Sequence, residues 1–381
     1  MRARVALALL AAALSVGACS TLDAINPFTG KKPKMAELKP FTPSRAARVA
    51  WSASIGKGGD YVFSPAVSGS SVYAASSDGS VTRIDGGKVV WKIDAGVPLS
   101  AGVGTDGNLV AVASPEGDLL VFLAADGKLA WKAKASSEIL APPAVGGGMV
   151  VVRSSDNCLT AYDMADGRWK WLYQRPAPSL VLRMTAAPVI DGNHVFAGFP
   201  GGKLVAVRLD GGAVAWEGTV ALPRGTTELE RVADVTSPPV IADRTICAVA
   251  FQGRVACFDL NNGNLLWARD MSSAAGLALD SRHLFVTDDK GAVHALDLSG
   301  GASVWKQDAL SARRVSAPLP RRGVVAVADA EGIVHFLNRD DGAFAARVET
   351  DGSPVLTAPR ALADGFLIQT SRGGLYAIDA E

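Results

Sequence analysis

From about residue 46 to the C-terminus, apolar and polar positions alternate in short runs, and nearly every run is closed by a Gly- or Pro-bearing turn. Val81-Thr82-Arg83-Ile84, Leu159-Thr160-Ala161-Tyr162, Leu204-Val205-Ala206-Val207 and Val293-His294-Ala295-Leu296 each read as a strand of period two. A tight turn precedes such strands, as in Ser77-Asp78-Gly79, Pro115-Glu116-Gly117 and Gln252-Gly253-Arg254, and a second apolar strand lies before that turn. Earlier still comes a small-Pro-apolar start: Ser64-Pro65-Ala66-Val67, Pro142-Pro143-Ala144-Val145, Ala187-Pro188-Val189-Ile190, Ser237-Pro238-Pro239-Val240, Ala317-Pro318-Leu319 and Ala358-Pro359-Arg360. A last strand, bearing a tryptophan in all but one of the units, completes each at four strands.

The units repeat. Trp51, Trp91, Trp131, Trp171, Trp216, Trp267 and Trp305 are spaced by 40, 40, 40, 45, 51 and 38 residues, with only Trp169 out of phase. Four residues before each of the last six stands a glycine: Gly87, Gly127, Gly167, Gly212, Gly263 and Gly301. A period near 40–45 with four short strands is the signature of a propeller blade, because one twisted sheet leaves both faces bare and must stack on its neighbours. Eight turn-plus-strand units are centred on Asp78, Glu116, Asp156, Gly201, Gly253, Lys290, Glu331 and Gly373. The fold expected is therefore all-β, an eight-bladed β-propeller of four-stranded antiparallel blades.

Two irregularities carry information. In the seventh unit Gly342 is followed four places on by Ala346, so the tryptophan is missing. In the eighth, Leu375–Asp379 is the third strand and the chain stops at Glu381. The orphan run Ala47–Trp51 ends in the tryptophan that blade needs, so the N-terminal strand is expected to complete the last blade and close the ring, leaving no free radial edge.

The first 45 residues follow another pattern. Met1-Arg2-Ala3-Arg4 is a basic start, Val5–Val16 is mostly apolar, and Gly17-Ala18-Cys19 supplies small residues before a cysteine: a secretory leader, too short to span a bilayer stably. Leu14–Cys19 resembles a bacterial lipobox, which implies cleavage before Cys19, acylation of that cysteine, and onward transport to the outer membrane with Ser20 next in line. From Ser20 to Arg45, four prolines and four lysines read as a flexible tether reaching roughly 25–30 Å. The expected organisation is a signal peptide over 1–18, a lipidated tether over 19–45 and a propeller over 46–381.

Composition removes several functions. With 49% hydrophobic and 20% charged residues the chain has material for a large core, and a net charge of +1 gives no basic excess for nucleic acid. Gly102-Val103-Gly104-Thr105-Asp106-Gly107 fits GxGxxG but lies among strands with no helix to seat a pyrophosphate. GxSxG, HExxH and CxxC are absent. His294 and His335 occupy equivalent positions of neighbouring blades, yet two histidines without a third ligand make a poor metal site, so no metal and no cofactor are expected. Besides Cys19 there are Cys158, Cys247 and Cys257, an odd number. Cys247 and Cys257 flank the turn at Gln252-Gly253. A three-residue turn pairs them directly, whereas a two-residue turn places them on opposite faces.

With no chemistry visible, specificity falls to the connections between blades, which all emerge on one face. Most run 8–14 residues, but Trp171 to Pro188 spans 17 and Trp216 to Pro238 spans 22. The first holds Leu180-Val181-Leu182-Arg183, and the second holds Glu228, Glu230, Arg231 and Asp234. Leucine among arginine and carboxylates suits an interface with a small apolar centre and a polar rim. It equally suits the start of a strand with solvated charges.

The repeat Ala161-x-Asp163-x-x-x-Gly167-x-x-x-Trp171, with its copies at Cys257–Trp267 and Ala295–Trp305, resembles that of quinoprotein-type propellers. There the resemblance implies that glycine and tryptophan, here Trp51, Trp91, Trp131, Trp171, Trp216, Trp267 and Trp305, lock neighbouring blades by flat packing. Over essentially its whole length the chain resembles the BamB family, lipoproteins of the β-barrel assembly machinery. That resemblance implies a non-enzymatic scaffold at the periplasmic side of the outer membrane that binds the periplasmic repeat domains of the central subunit BamA and holds nascent outer-membrane proteins near them. It assigns partner binding to Leu180, Leu182, Arg183 and Asp234; the family pattern has a second acidic residue two places on, where this chain has Thr236. A periplasmic quinone-dependent dehydrogenase is the alternative function, but it requires a vicinal Cys-Cys pair that the sequence lacks. A cell-surface recognition propeller is a third.

Overall fold

Every turn signal closes a hairpin between the second and third strands of a blade. The computed structural model describes residues 34–381 apart from 177 and 184, so the leader and Cys19 lie outside the described residues. Its body, Ala36–Glu381, holds thirty-two strands and, among the described residues, no helix. They form eight antiparallel four-stranded sheets in chain order, except that Ala47–Ser54 pairs with Gly374–Ala380 to become the fourth strand of the last blade. Trp51 lies opposite Ala377, as ring closure requires. First strands of neighbouring blades approach one another around the axis, and second and third strands, such as Val324–Ala328 and Cys158–Asp163, are buried almost throughout. Their Val- and Ala-rich sequences follow from having a blade on either side.

The blades are joined by one repeated contact. In each fourth strand from blade one to blade seven a bulge skips one residue, just before the tryptophan where there is one, so that Lys170, for example, has no residue opposite it in the strand register while Trp171 faces Ala161. The extra residue re-aims the side chains: Trp171 is buried and Trp169 is exposed. The indole of each tryptophan then lies flat on the glycine of the following blade, Trp51 on Gly87 and onward round the ring to Trp305 on Gly342. At Gly263 the backbone has φ +71° and an added Cβ would stand 2.6 Å from Cε3 of Trp216. Six of the indoles also donate Nε1–H to a backbone carbonyl of that next blade, at 2.7–3.0 Å: Trp91 to Ala124, Trp131 to Met164, Trp171 to Leu209, Trp216 to Leu260, Trp267 to Leu298 and Trp305 to Arg339.

Blade seven has Ala346 where the tryptophan belongs, and its junction with blade eight is filled instead by apolar packing that brings the Phe336 and Phe366 ring centres to 5.1 Å. Residues 36–45, expected to be the end of a flexible tether, instead run as a strap against blades six and seven. Phe41 packs 5.5 Å from Phe344, and the Arg347 guanidinium lies over both rings at 4.7 and 4.5 Å. Arg347 Nη1 donates to the Lys39 carbonyl (2.8 Å) and Arg313 Nη1 to that of Ala36 (2.9 Å). Ser44 and Arg45 donate backbone N–H groups to Ala345 O, and Ala36 donates to Ser311 O. A composition-based reading misses this because prolines and lysines look like linker, while the groups that hold them stand some 300 residues away in sequence.

Under the strap is a buried polar chain. Arg313 Nε donates to Asp329 Oδ2 (2.6 Å), the same oxygen meets His335 Nε2 (3.0 Å), and Arg347 Nε donates to His335 Nδ1 (3.2 Å). Since a guanidinium only donates, the His335 proton sits on Nε2, toward Asp329. Burial, reinforced by Arg347 and Arg313, holds the His335 pKa below its ordinary value despite Asp329. At the Asp329 carboxyl, burial opposes the charge, but the bonds from His335, Ile333 N–H and Arg313 keep its pKa below the usual range. His294 makes the equivalent contact in blade six, Nε2 to Asp288 Oδ2 at 2.9 Å. Both histidines are satisfied strand residues, and among the described residues no three or more His, Cys, Asp or Glu side chains are grouped to hold a metal.

Cys247 and Cys257 face each other in register across their hairpin and form a disulfide, which settles the turn parity; Cys158 is free and buried.

Gly263→Ala should destabilise the ring by about 2 kcal/mol or more, from strain at positive φ plus overpacking against Trp216, whereas Gly300→Ala, with open space around it, should be near neutral. Thermal or denaturant melting of the two variants checks this. The His335 shift predicts a pH effect of defined sign. Its pKa is lowered in the fold, so the stability it contributes is present above the unfolded value near 6.5 and is lost as pH falls through the window below it. The melting temperature should therefore drop between pH 7.5 and 5, and His335→Gln should drop less over the same interval.

Candidate interaction site

The two long connections become one structure because their polar groups bond to each other. The first leaves blade three at Arg175, whose guanidinium pairs with Glu217 of blade four. Ser179 Oγ donates to Glu228 Oε2 of the second connection (3.3 Å), and Leu182 N–H donates to Asp234 Oδ2 (2.8 Å). Asp234 Oδ1 accepts from Gly201 N–H in the hairpin turn of blade four (3.1 Å). Sequence-adjacent loops of opposite polarity are thereby clasped into a single patch.

The seven residues expected to form the interface divide into exposed and internal ones. Leu180 is 40% exposed, Arg183, Glu228, Glu230 and Arg231 are exposed, and Leu182 is half-buried. Asp234 is only 1% exposed, which corrects its expected place on the polar rim: both carboxylate oxygens are taken by backbone amides within the molecule. The second loop changes character at one point. Thr226–Arg231 is exposed, whereas Val232, Ala233 and Val235 are buried, Val235 against a place kept open by Gly198.

Glu230 acts locally. Its Oε2 accepts from the N–H groups of Thr226 (2.8 Å) and Thr227 (3.1 Å), while Thr227 Oγ1 accepts from Glu230 N–H, a reciprocal capping arrangement around one turn. The Thr227 and Thr226 N–H bonds hold its pKa below the ordinary glutamate value. Arg231 and Leu229, by contrast, project outward, Leu229 being 70% exposed.

Arg183 does not stand free at a loop tip. Its Nη2 pairs with Glu138 Oε1 (3.1 Å) in the connection between blades two and three, Nη1 donates to the Asp60 carbonyl (3.4 Å), and the guanidinium lies 5.2 Å from the Tyr61 ring centre. The patch therefore extends to the connection that leads into blade one. Glu138, Asp60, Tyr61 and Gln252 were not legible as site residues. Gln252, in the blade-five turn at φ 48°, brings its side-chain amide within 3.0–3.1 Å of the carbonyls of Leu229, Glu230 and Val232, and with the nitrogen turned toward them its two N–H groups can serve two of the three. A non-glycine residue in a left-handed turn beside a glycine was the available signal, but its partners lie in another blade's loop.

The family model described as outer membrane protein assembly factor BamB matches residues 77–307 and 275–381. Outer membrane protein assembly factor BamB of Bordetella pertussis is 42% identical over 91% of this chain and 90% of its own length. The crystal structure of BamB from Moraxella catarrhalis superposes with TM-score 0.82 at 25% identity, covering 88% of this chain and all of that one. The quinohemoprotein alcohol dehydrogenase of Comamonas testosteroni, at 16% identity and TM-score 0.70 over 87% of this chain and 76% of that one, shares the fold alone.

Gln252→Ala should speed amide exchange and protease cleavage across residues 226–232 several-fold while leaving the melting temperature within about 2 °C, since it frees an exposed turn without touching the blade core. Unchanged protection of that segment would mean the turn is held by its capping residues alone.

Proposed function

The chain belongs to the BamB family of outer membrane protein assembly factors, and from that membership we propose that it is a non-enzymatic scaffold binding the periplasmic repeat domains of BamA. One observation carries the reading: two unusually long connections are clasped together so that Leu180 and Leu229 stand exposed among Arg183, Glu228 and Arg231. An apolar centre within a charged rim suits a protein partner and offers a small molecule no enclosure. In this reading residues 1–18 are the leader, Cys19 carries the lipid, and the body faces the periplasm from the outer membrane. Residues 19–35 are the segment between the lipidated cysteine and the strap, which begins at Ala36. The scaffold would orient BamA's domains and keep nascent outer-membrane proteins near them without turnover. The dehydrogenase alternative has support only from the fold, and the sequence holds no vicinal cysteine pair.

The test is capture of purified BamA periplasmic domains by a Leu180→Ala, Arg183→Glu variant. Leu182 is left intact because half of it is already packed inside. Loss of one exposed leucine contact and reversal of one rim charge should together weaken capture at least tenfold, roughly 1.4 kcal/mol or more, with melting unchanged. Lys132→Glu, an exposed reversal on the outer strand of blade two, serves as control and should capture normally. Retained capture by the double variant would place the interface elsewhere on the disc.

A further inference from the structure

The strap is held by a bond that one proton can abolish. Two arginines tie it to the body, and they differ in chemistry. At the Ala36 end the grip is Arg313, whose guanidinium is charge-paired with Asp329 (2.6 Å) and with Glu331 and whose Nη1 meets the Ala36 carbonyl. Further along the grip is Arg347, which has no ion-pair partner among the described residues. Its Nη1 meets the Lys39 carbonyl, its guanidinium lies over Phe41 and Phe344, and its Nε donates to His335 Nδ1. Beyond it the N–H groups of Ser44 and Arg45 share the Ala345 carbonyl at 3.0 and 3.2 Å.

His335 is buried and neutral in this arrangement, since Nδ1 accepts only while it carries no proton. A second proton must go to Nδ1, because Nε2 already holds one toward Asp329. Nδ1–H would then face Nε–H of Arg347 at 3.2 Å, donor against donor and cation against cation. The imidazolium keeps its place, because the Asp329 carboxylate accepts from Nε2. Arg347 is half-buried with solvent in reach, so it is the group that yields, and its hold on Lys39 and Phe41 goes with it. The charges acting on His335 are Asp329 in its own blade, Arg313 in the connection from blade six and Arg347 on the adjacent strand, with Glu331 paired to Arg313. The strap adds Glu37, Lys39 and Arg45.

We propose that His335 is the catch of a latch: a proton on its Nδ1 displaces Arg347 and releases residues 39–45 from the edge of blade seven while the ring stays closed. The ring does not depend on this contact, since blades seven and eight meet through Phe336 and Phe366 and closure is made by Ala47–Ser54 on Gly374–Ala380. The sign follows from burial, which with the two arginines lowers the His335 pKa against the pull of Asp329. The latch is therefore closed above the ordinary histidine value near 6.5 and opens as pH falls below it. The latch stands on the geometry of the body alone. Its use rests on the proposed lipoprotein reading, in which the strap links the lipid-bearing segment to the propeller and opening it lengthens that link.

The test is amide exchange on the folded chain from Cys19 onward, taken relative to the unfolded-chain rate at each pH, together with an NMR titration of the His335 ring. From pH 7.5 to 5 the Ser44 and Arg45 amides should lose about tenfold or more of their protection, in step with His335 protonation, while Val205 and Val325 in the blade cores keep theirs. His335→Gln offers one donor toward Asp329 and one acceptor toward Arg347 and does not titrate, so its Ser44 protection should be flat over the interval. The coupling is reciprocal: Phe41→Ala, which weakens the strap, should raise the pH at which His335 titrates. Should His335→Gln fail to fold, the wild-type titration and Phe41→Ala still decide. Three results would overturn the latch: a protonated His335 with Ser44 protection unchanged, the same loss of protection in His335→Gln, or a ring that stays neutral until the blade-core amides open. Mature protein from envelopes without acyl mass on Cys19 would sink the lipoprotein reading and leave the exchange result standing.

Discussion

The flat contact of an indole on a glycine of the next blade is the constraint on which this structure depends. A four-stranded blade cannot bury both of its faces, so stability comes from stacking, and stacking in a ring tolerates little error in the angle between neighbours. Tryptophan on glycine fixes that angle twice. The large flat ring excludes any Cβ beneath it, and the indole N–H points at one carbonyl of the following blade. The bulge before the tryptophan serves the same contact, turning the ring inward while leaving its neighbour outside.

The seam where this device is missing shows what the ring needs. With Ala346 in blade seven, the junction with blade eight is packed by Phe336 and Phe366, while residues 36–45 lie along blades six and seven, gripped through their carbonyls by Arg313 and Arg347. Those two arginines stand on the buried Asp329–His335 pair, so the strap is tied to an internal network and not merely laid on the surface. The body therefore begins where the strap begins, at Ala36, and not at residue 46 as the proline- and lysine-rich sequence suggests.

The face of the disc that carries the long connections is organised by the same economy. Blade-to-blade connections elsewhere are short, and the two that are long spend their polar groups on each other. Asp234, Glu230 and Gln252 all bond inward, leaving Leu180, Leu229, Glu228 and Arg231 to face out. Arg183 lies between the two classes, exposed but bonded to Glu138 and Asp60. On the proposed reading, a surface held in one shape before its partner arrives would lower the ordering cost of association.

The sequence by itself determined the propeller, the count of blades and the closing strand, because each of these follows from local periodicity and from turn residues that act within a few positions. It also located the two loops, since excess length is visible without a fold. What only the tertiary structure decided is which way each side chain in those loops turns. Glu228 and Asp234 look alike in a sequence, but one is in solvent and the other lies among backbone amides contributed by blade four and by the first loop. The strap escaped for the same reason: its partners are remote in the chain, and a charge or a proline declares its composition locally while its environment is assembled only when distant blades close around it.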